Sequence, residues 1–251
     1  MTDSLLLRRT EGGVARLTLN DPARANALSG GMIAALTAAL SELNHDPSVR
    51  VIVLEAAGKV FCAGHDLGEL RSDEDPAAHE ALFWRCSELM SAIVASPRPV
   101  IARVQGAAVA AGCQLVASCD LAFAVDTARF AVSGINLGLF CSTPGVALGR
   151  AVGRKDALEL LLTGRFVGAA EAAVMGLINR AVPAAALDAA VDEAAAAIAA
   201  KPPEAIALGK AAFQRQIERP LSEAYAIATR AMTENLGFES AKSGIDGFLK
   251  R

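Results

Sequence analysis

The chain has 251 residues, of which 53% are hydrophobic and 4% aromatic, and its formal net charge is −3. This length and hydrophobicity predict one large domain, or one with a small helical appendage, around a sizeable core. The mild acidity and the scarcity of aromatic side chains give no support to nucleic-acid binding. No apolar run is long enough to predict a membrane span. Much of the hydrophobic surplus is alanine, which suggests extra buried surface of the kind found in oligomers.

The number and spacing of the cysteines and histidines predict a protein with reduced thiols and no metal site. The cysteines are odd in number, include no C-x-x-C pair and are accompanied by only three scattered histidines. The first residues, "MTDSLLLRRTEGG", do not have the pattern of a signal peptide. We therefore expect a cytoplasmic protein whose cysteines are all free thiols. These cysteines are Cys62, Cys86, Cys113, Cys119 and Cys141.

The first half of the chain predicts alternating strands and helices. "LLLRRTEGGVARLTLN" alternates around Gly12–Gly13 and predicts a hairpin, and Ser29 is a candidate N-cap for the helix that follows it. A second helix is predicted over 77–95. The predicted buried strands are "VRVIVLEAAG", "RPVIARVQG" and "DLAFAVD". From Pro144 onward the pattern is helical over 145–152, 154–162, 169–175, 184–200, 203–218 and 221–236.

Three common site motifs are absent from this sequence. A phosphate loop ending at Gly58-Lys59 would need glycine where Val53 stands, and "GVALGRAVG" lacks dinucleotide-binding spacing. "AVSGI" lacks the first glycine of a nucleophile elbow, so Ser133 is interpreted as a loop serine.

Two stretches fit together as an oxyanion-binding site. "VFCAGHDLGEL" ends a strand and turns through Ala63-Gly64, and "VQGAAVAAGCQLVASCD" ends another and opens a helix near Ala111. Each can leave a backbone N–H free at the turn, where a helix dipole also favours negative charge. Two such donors that meet at one oxygen stabilise charge developing on a carbonyl. The alternative is that the small residues serve only packing.

The sequence resembles the crotonase, or enoyl-CoA hydratase/isomerase, superfamily. The resemblance is carried by "PARANALS", "AGKVFCAGHDLGEL", "RPVIARVQGAAVAAGCQLVASCDLAFA", "TPGVALGRAVGRKDALELLLTG" and "GLINRAVP", in order and in register over almost the whole chain. It implies an α/β fold, a ClpP-like spiral of ββα units over 1–195, with a helical oligomerisation region over 196–251. It also implies a homotrimer or hexamer that acts on acyl-CoA thioesters in fatty acid metabolism, with coenzyme A arriving as part of the substrate and no permanently bound cofactor.

The resemblance also assigns site residues. The thioester oxygen would lie between the backbone N–H groups of His65 and Ala111, and the His65 side chain is not needed for this and is otherwise interpreted as a surface or pocket-rim group. Coenzyme A contacts fall on Arg24, Ala25, Ala63, Asp66 and Leu67. Phe248, Lys250 and Arg251 match a segment that reaches the coenzyme A of a neighbouring subunit, although a solvated tail is the alternative for the two cations.

Both carboxylates of the family's hydratase mechanism are replaced in this chain. The two positions fall on Gln114 and Gly134. An amide can hold water but cannot exchange a proton near neutral pH, and glycine can do neither. Losing one such acid–base group lowers a rate by roughly 10²–10⁴. Glu69 and Glu88 are possible substitutes, although exposed helix faces are expected for both, and Cys141 is expected to be a buried thiol rather than a nucleophile.

These observations leave three functional hypotheses. The first is an enzyme of the hydratase/isomerase class, formally a lyase or isomerase, that stabilises a thioester enolate without standard hydration. The second is a non-catalytic protein that binds or sequesters acyl-CoA. The third is other enolate chemistry, such as decarboxylation or thioester hydrolysis, which would need a polar group from 133–143 or 69–88.

Overall fold

The computed structural model describes residues 4–72 and 74–250, which form ten strands. Six strands make one sheet in the order β1-β2-β3-β5-β7-β10, and four short strands make a second sheet in the order β4-β6-β8-β9. Pairing is parallel except between β1 and β2 and between β8 and β9. The strands are β1 Leu6–Glu11, β2 Val14–Leu19, β3 Val51–Ala56, β4 Val60–Cys62, β5 Val100–Val104, β6 Ala107–Val109, β7 Leu121–Val125, β8 Arg129–Ala131, β9 Val167–Gly168 and β10 Arg180–Val182.

Eleven α-helices are described between and after these strands. Three short 3-10 turns, at Pro22–Arg24, Ser133–Leu137 and Ala184–Ala186, complete the regular structure of the described residues. The helices are α1 Gly30–His45, α2 Leu67–Ser72, α3 Pro76–Ala95, α4 Ala111–Ser118, α5 Ser142–Ala151, α6 Arg154–Thr163, α7 Ala169–Met175, α8 Leu187–Ala199, α9 Pro203–Gln216, α10 Leu221–Leu236 and α11 Glu239–Leu249.

The fold repeats one unit along the chain. A strand of the large sheet is followed by a short strand of the small sheet, as in β3–β4, β5–β6 and β7–β8, and a helical segment then leads back. Because each return adds a parallel strand to both sheets, successive units stack into a spiral. The small sheet therefore collects the ends of three successive units at one edge.

Local sequence explains the elements around the core. Ser29 caps α1 by accepting a hydrogen bond from the Met32 amide at 3.2 Å, and the predicted apolar stripe of α1 is buried. Arg16, on β2, is nearly enclosed and pairs with Glu55 on β3 and Asp192 on α8, which fixes α8 across the large sheet. Helix α4 is buried over almost its whole length, whereas α9, α10 and α11 contain no fully buried residue.

Most of the predicted elements are confirmed, with shifts at their ends. The hairpin, the long helix near 77–95, the three buried strands and the later helices are present. The prediction did not resolve the two- and three-residue strands of the small sheet as separate elements, because such short apolar segments carry no readable period. It also missed α11, where Gly244 and Gly247 weaken the helical signal. Among the described residues, no helix is both long and apolar enough to cross a bilayer.

Candidate functional site

Three turns converge at one edge of the small sheet. Strand β6 pairs in parallel with β4 on one side and with β8 on the other. The segments that leave these strands, 63–65, 110–111 and 132–134, therefore emerge side by side. Four sequence-predicted site residues, His65, Ala111, Gln114 and Gly134, lie on or directly after these turns.

The first two turns touch through Gly64. Its φ is +93°, and a methyl group placed on it would stand 3.2 Å from the Ala111 nitrogen and 3.0 Å from the Val109 oxygen. Gly112 makes a similar approach, since a methyl group there would lie 2.8 Å from the Cys62 carbonyl carbon. These glycines let the start of α4 lie directly against the end of β4.

The backbone amides of His65 and Ala111 have no partner among the residues that the structure describes. Ala110, with φ +49° and ψ −117°, turns the chain sharply at the N-terminus of α4, and its own amide donates to the Ala131 oxygen at 2.8 Å. Within the described parts of the chain, neither the His65 nor the Ala111 amide donates a hydrogen bond. Two free amides on touching turns could bind one oxygen atom. Their role as an oxyanion hole stays a prediction.

The His65 side chain is half-buried, with its ring packed against a neighbouring helix. Its Nδ1 lies 3.3 Å from the Leu28 oxygen, and its ring meets Phe83 edge-on at 5.3 Å between centroids. Because a carbonyl only accepts, Nδ1 carries the proton and Nε2, which is buried, has a lone pair without a partner in the described chain. Burial lowers the pKa of His65, partly offset by the Leu28 contact.

Gln114 is the most unusual side chain of the site. It lies one helical turn after Ala111, is only 4% exposed, and has a buried Oε1 that finds no hydrogen-bond partner among the described residues. Buried side-chain amides are normally satisfied, and an exception needs an explanation such as a bound water or ligand.

Gly134, the second replaced position, is closed over by its own loop. Its amide donates to the Cys141 sulfur at 3.3 Å, and its oxygen accepts from the Leu139 amide at 3.0 Å. A methyl group on Gly134 would stand 2.8 Å from that sulfur and closer still to the Leu139 oxygen. No side chain can therefore be added at Gly134 unless the 139–141 segment moves.

The possible substitutes for the missing carboxylates are poorly placed for acid–base work. Glu69 and Glu88 are both exposed, and the Glu69 carboxylate accepts from the Gly30 amide at 2.9 Å. Burial raises the pKa of the Cys141 thiol, against a smaller opposing effect of the Gly134 amide, so it is not a ready nucleophile. No cluster of three or more potential metal ligands occurs among the described residues.

The residues expected to contact coenzyme A form one surface cluster. The Arg24 guanidinium donates to Asp21 at 2.8 Å and to Asp66 at 3.2 Å, and the Ala63 amide donates to the Ala25 oxygen at 3.1 Å. Leu67 is half exposed at the start of α2. The structure thus brings Arg24, Ala25, Ala63, Asp66 and Leu67 together beside His65.

The C-terminal residues lie elsewhere in the single chain. Phe248 and Lys250 are exposed at the end of α11, which packs against α10 and is tied to α9 through Ser240 and Glu204. Arg251 lies outside the described residues. Their predicted reach to a neighbouring subunit therefore stays a prediction.

An apolar groove opens next to the candidate site. It has a volume of about 450 Å³, and Phe83, which contacts the His65 ring, lies in its wall. The groove is lined by Pro76, His79, Glu80, Phe83, Trp84, Ser87 and Thr143.

The sequence indicated the turn at Gly64 but not the parts that Ala110 and Gly112 play in shaping the site. Each allows two backbone segments to approach or turn where a larger or differently restricted residue would not fit. The available signal was Gly112, because glycine is disfavoured in the first turn of a helix unless close packing requires it.

Comparison with known proteins places these features in context. The Enoyl-CoA hydratase/isomerase family profile matches residues 9–251. Enoyl-CoA hydratase domain-containing protein 3 of Xenopus laevis is 44% identical over 247 residues, 98% of this chain and 84% of the relative. The human protein of that name is 44% identical over 242 residues, 95% of this chain and 79% of the relative.

Solved structures agree with the fold described above. An enoyl-CoA hydratase from Mycobacterium smegmatis superimposes with a TM-score of 0.96 at 55% identity, covering 98% of this chain and 96% of that one. Human enoyl-CoA hydratase domain-containing protein 3 gives 0.95 at 42% identity, covering 98% and 97%. These matches confirm the predicted fold class.

The predicted cytoplasmic location is contradicted by the relatives. The frog, rat, mouse and human proteins are all named as mitochondrial. The prediction relied on unpaired cysteines, and all five are indeed free. The presence of free thiols distinguishes a reducing compartment from an oxidising one, but it does not distinguish between two reducing compartments. The inferred cytoplasmic location was therefore wrong.

Proposed function

Because the chain belongs to the enoyl-CoA hydratase/isomerase family, the crotonase superfamily, we propose that it binds an acyl-CoA thioester with the thioester oxygen between two backbone amides. The amides are those of His65 and Ala111. The observation that carries the proposal is that both lack hydrogen-bond partners in the described chain and lie on turns that touch through Gly64. Because such backbone donors are already held in place, they stabilise an enolate oxygen without having to reorient during the reaction.

The neighbouring surface supports recognition of the coenzyme A portion. Arg24 and the 63–67 turn lie beside the amide pair, and Arg24 remains more than half exposed despite its two ion pairs. Coenzyme A would arrive as part of the substrate, and the apolar groove at Phe83 would receive the acyl chain.

Standard two-carboxylate hydration is not proposed. Gln114 cannot transfer a proton near neutral pH, and Gly134 has no side chain and no room for one. An enzyme of the hydratase/isomerase class would have to move protons through another group, and enolate stabilisation alone would give only part of the acceleration.

The second candidate is a protein that binds or sequesters acyl-CoA without turning it over. The closure of the 139–141 segment over Gly134 favours it, because that packing removes the acid position rather than merely changing its residue. The same amide pair and coenzyme A surface would serve binding alone.

We also propose a homotrimer, or a hexamer made from two, assembled through the C-terminal region 196–251. Helices α10 and α11 have no fully buried residue, and their exposed apolar side chains favour burial against other copies. These side chains include Leu221, Tyr225, Met232, Leu236, Ile245, Phe248 and Leu249.

The proposed oxygen site is tested with two ligands that differ only in the carbonyl oxygen of the thioester. Butyryl-CoA and its S-butyl-CoA thioether share the nucleotide, the pantetheine and the chain length, but the thioether has no carbonyl oxygen. Titration calorimetry should give the thioester an affinity about 30-fold higher, since two hydrogen bonds of about 1 kcal/mol each are at stake. Free coenzyme A serves as the baseline for the rest of the molecule. Equal affinity for thioester and thioether would contradict the oxyanion site.

A further inference from the structure

A cavity lined by three arginines opens where the end of α9 meets α10. It has a volume of about 620 Å³. Arg215 comes from α9, Arg219 from the short link between the two helices and Arg230 from α10. All three side chains are exposed, so a molecule in solution can reach them. No residue of this lining belongs to the candidate thioester site or to the coenzyme A surface.

The three guanidinium groups have no anionic partner in the described part of the chain. None of them takes part in an ion pair or a side-chain hydrogen bond there. Of the two carboxylates in the lining, Glu218 is bound by the Arg150 guanidinium of α5, and Glu223 pairs with none of the three arginines. The cavity therefore keeps an excess of positive charge, although the whole chain has a net charge of −3.

The arginine cavity and the apolar side of the same helix pair face opposite directions. Leu221, Tyr225 and Met232 line a separate groove between α9 and α10, which favours burial against another copy. Arg230 lies about two and a half helical turns after Leu221, and so on the opposite side of α10. A second copy seated on the apolar groove would therefore leave the arginine cavity open to solvent.

The chemistry of the lining favours phosphate as the ligand group. A guanidinium presents its N–H donors as a planar fork that matches two oxygens of one phosphate. Three such forks around one cavity can bind several linked phosphates better than a single one. The volume lies within the range of small-molecule sites, roughly 300–1,000 Å³.

We propose that this arginine cavity is a second binding site of the protein, for a soluble molecule that carries two or more linked phosphate groups. The proposal does not rest on the thioester site. Inorganic tripolyphosphate is the probe, and titration calorimetry measures its affinity. Wild type should bind tripolyphosphate at least about 10-fold more tightly than orthophosphate, because only the longer anion can contact all three arginines.

Two variants and a matched control locate the binding. Arg219→Gln and Arg230→Gln should each weaken tripolyphosphate binding about 10-fold, the effect expected for losing a hydrogen bond to a charged group. Arg24→Gln removes the same charge from the coenzyme A surface and should leave that affinity unchanged. Adenosine triphosphate then identifies the source. Equal affinity assigns recognition to the phosphate chain alone, tighter affinity assigns it to a nucleotide, and either result supports the site.

Three results would overturn the proposal. The first is that wild type binds tripolyphosphate no more tightly than orthophosphate, or not at all. The second is that Arg24→Gln abolishes binding while Arg219→Gln and Arg230→Gln keep it. The third is that wild type ignores tripolyphosphate and both cavity variants lower the mass of the assembly in analytical ultracentrifugation, which would assign the arginines to carboxylates of another copy. The butyryl-CoA comparison is a separate measurement, so each site can fail without the other.

Discussion

The amide of Gly134 donates a hydrogen bond to the Cys141 sulfur at 3.3 Å, and the same sulfur stands 2.8 Å from the place where a Cβ on Gly134 would lie. The loop therefore depends on glycine for its packing. The position at which the family resemblance implies an acid is here a closed backbone contact. Restoring a glutamate by substitution would not restore an acid in the same place.

Gly134→Ala should lower stability because the added methyl group must displace the Leu139 oxygen or the Cys141 sulfur. Overpacking of this kind costs about 1–3 kcal/mol, and each kcal/mol lowers the melting temperature by roughly 2–4 °C in a chain of this size. Thermal unfolding measures the effect. Gly149→Ala is the matched control, since a methyl group there meets nothing within 4 Å and lies inside α5, where alanine should stabilise. Equal melting temperatures for Gly134→Ala and wild type would show that the 139–141 segment moves aside without loss of stability, which contradicts the tight packing described here.

His65 should make stability depend on pH. Burial lowers the pKa of its imidazole in the folded chain below the ordinary value of 6.5, so the unfolded chain takes up a proton first as the pH falls. Wild type should therefore lose stability as the pH drops from about 6.5 toward that lowered pKa. Melting temperatures of wild type and His65→Phe between pH 5 and pH 7.5 measure this, as phenylalanine keeps a ring beside Phe83. A difference between the two proteins that does not change with pH would contradict a neutral, buried His65.

Gln114→Glu should introduce a carboxyl group whose pKa is raised by burial. A raised pKa contributes stability below the unfolded value of about 4.3 that is lost as the pH rises through the folded pKa. The melting temperature of the variant relative to wild type should thus fall between pH 5 and pH 8. A constant difference over that range would mean that the new carboxyl reaches solvent, and so that Gln114 is less enclosed than described.

The cysteines should be unreactive in the folded protein. Burial raises the pKa of Cys62, Cys86 and Cys113 to about 12 and also raises those of Cys119 and Cys141. Iodoacetamide at pH 8 should label almost none of them in the native state and all five after unfolding in guanidinium. Rapid labelling of Cys141 alone, located by mass spectrometry, would revive it as a nucleophile.

The sequence predicted the part of the fold that carries strong periodic signals. The hairpin at Gly12–Gly13 and the capped helix at Ser29 were readable because turn chemistry, capping and apolar spacing act locally. The family motifs placed His65, Ala111, Gln114 and Gly134 in one site, and the structure brings their segments to one sheet edge.

What the sequence could not predict depends on contacts between distant segments. A Cβ on Gly134 would strike the Leu139 oxygen because the loop after the 3-10 turn folds back onto that turn. A glycine in the sequence does not by itself indicate this contact. The enclosure of Gln114 and of the His65 ring likewise arises from packing against α3 and the neighbouring strand ends. The location was misjudged because free thiols were its main support.

We expect the chain to bind a thioester at the His65 and Ala111 amides while lacking the two carboxylates of hydration. The most direct measurement follows the enoyl-thioester absorbance of crotonyl-CoA at an enzyme concentration close to that of the substrate. We expect crotonyl-CoA to bind and its absorbance to decay no faster than it does without protein. Repeated turnover to the hydrated product by wild type would contradict it, because an acid–base pair other than positions 114 and 134 would then have to be at work.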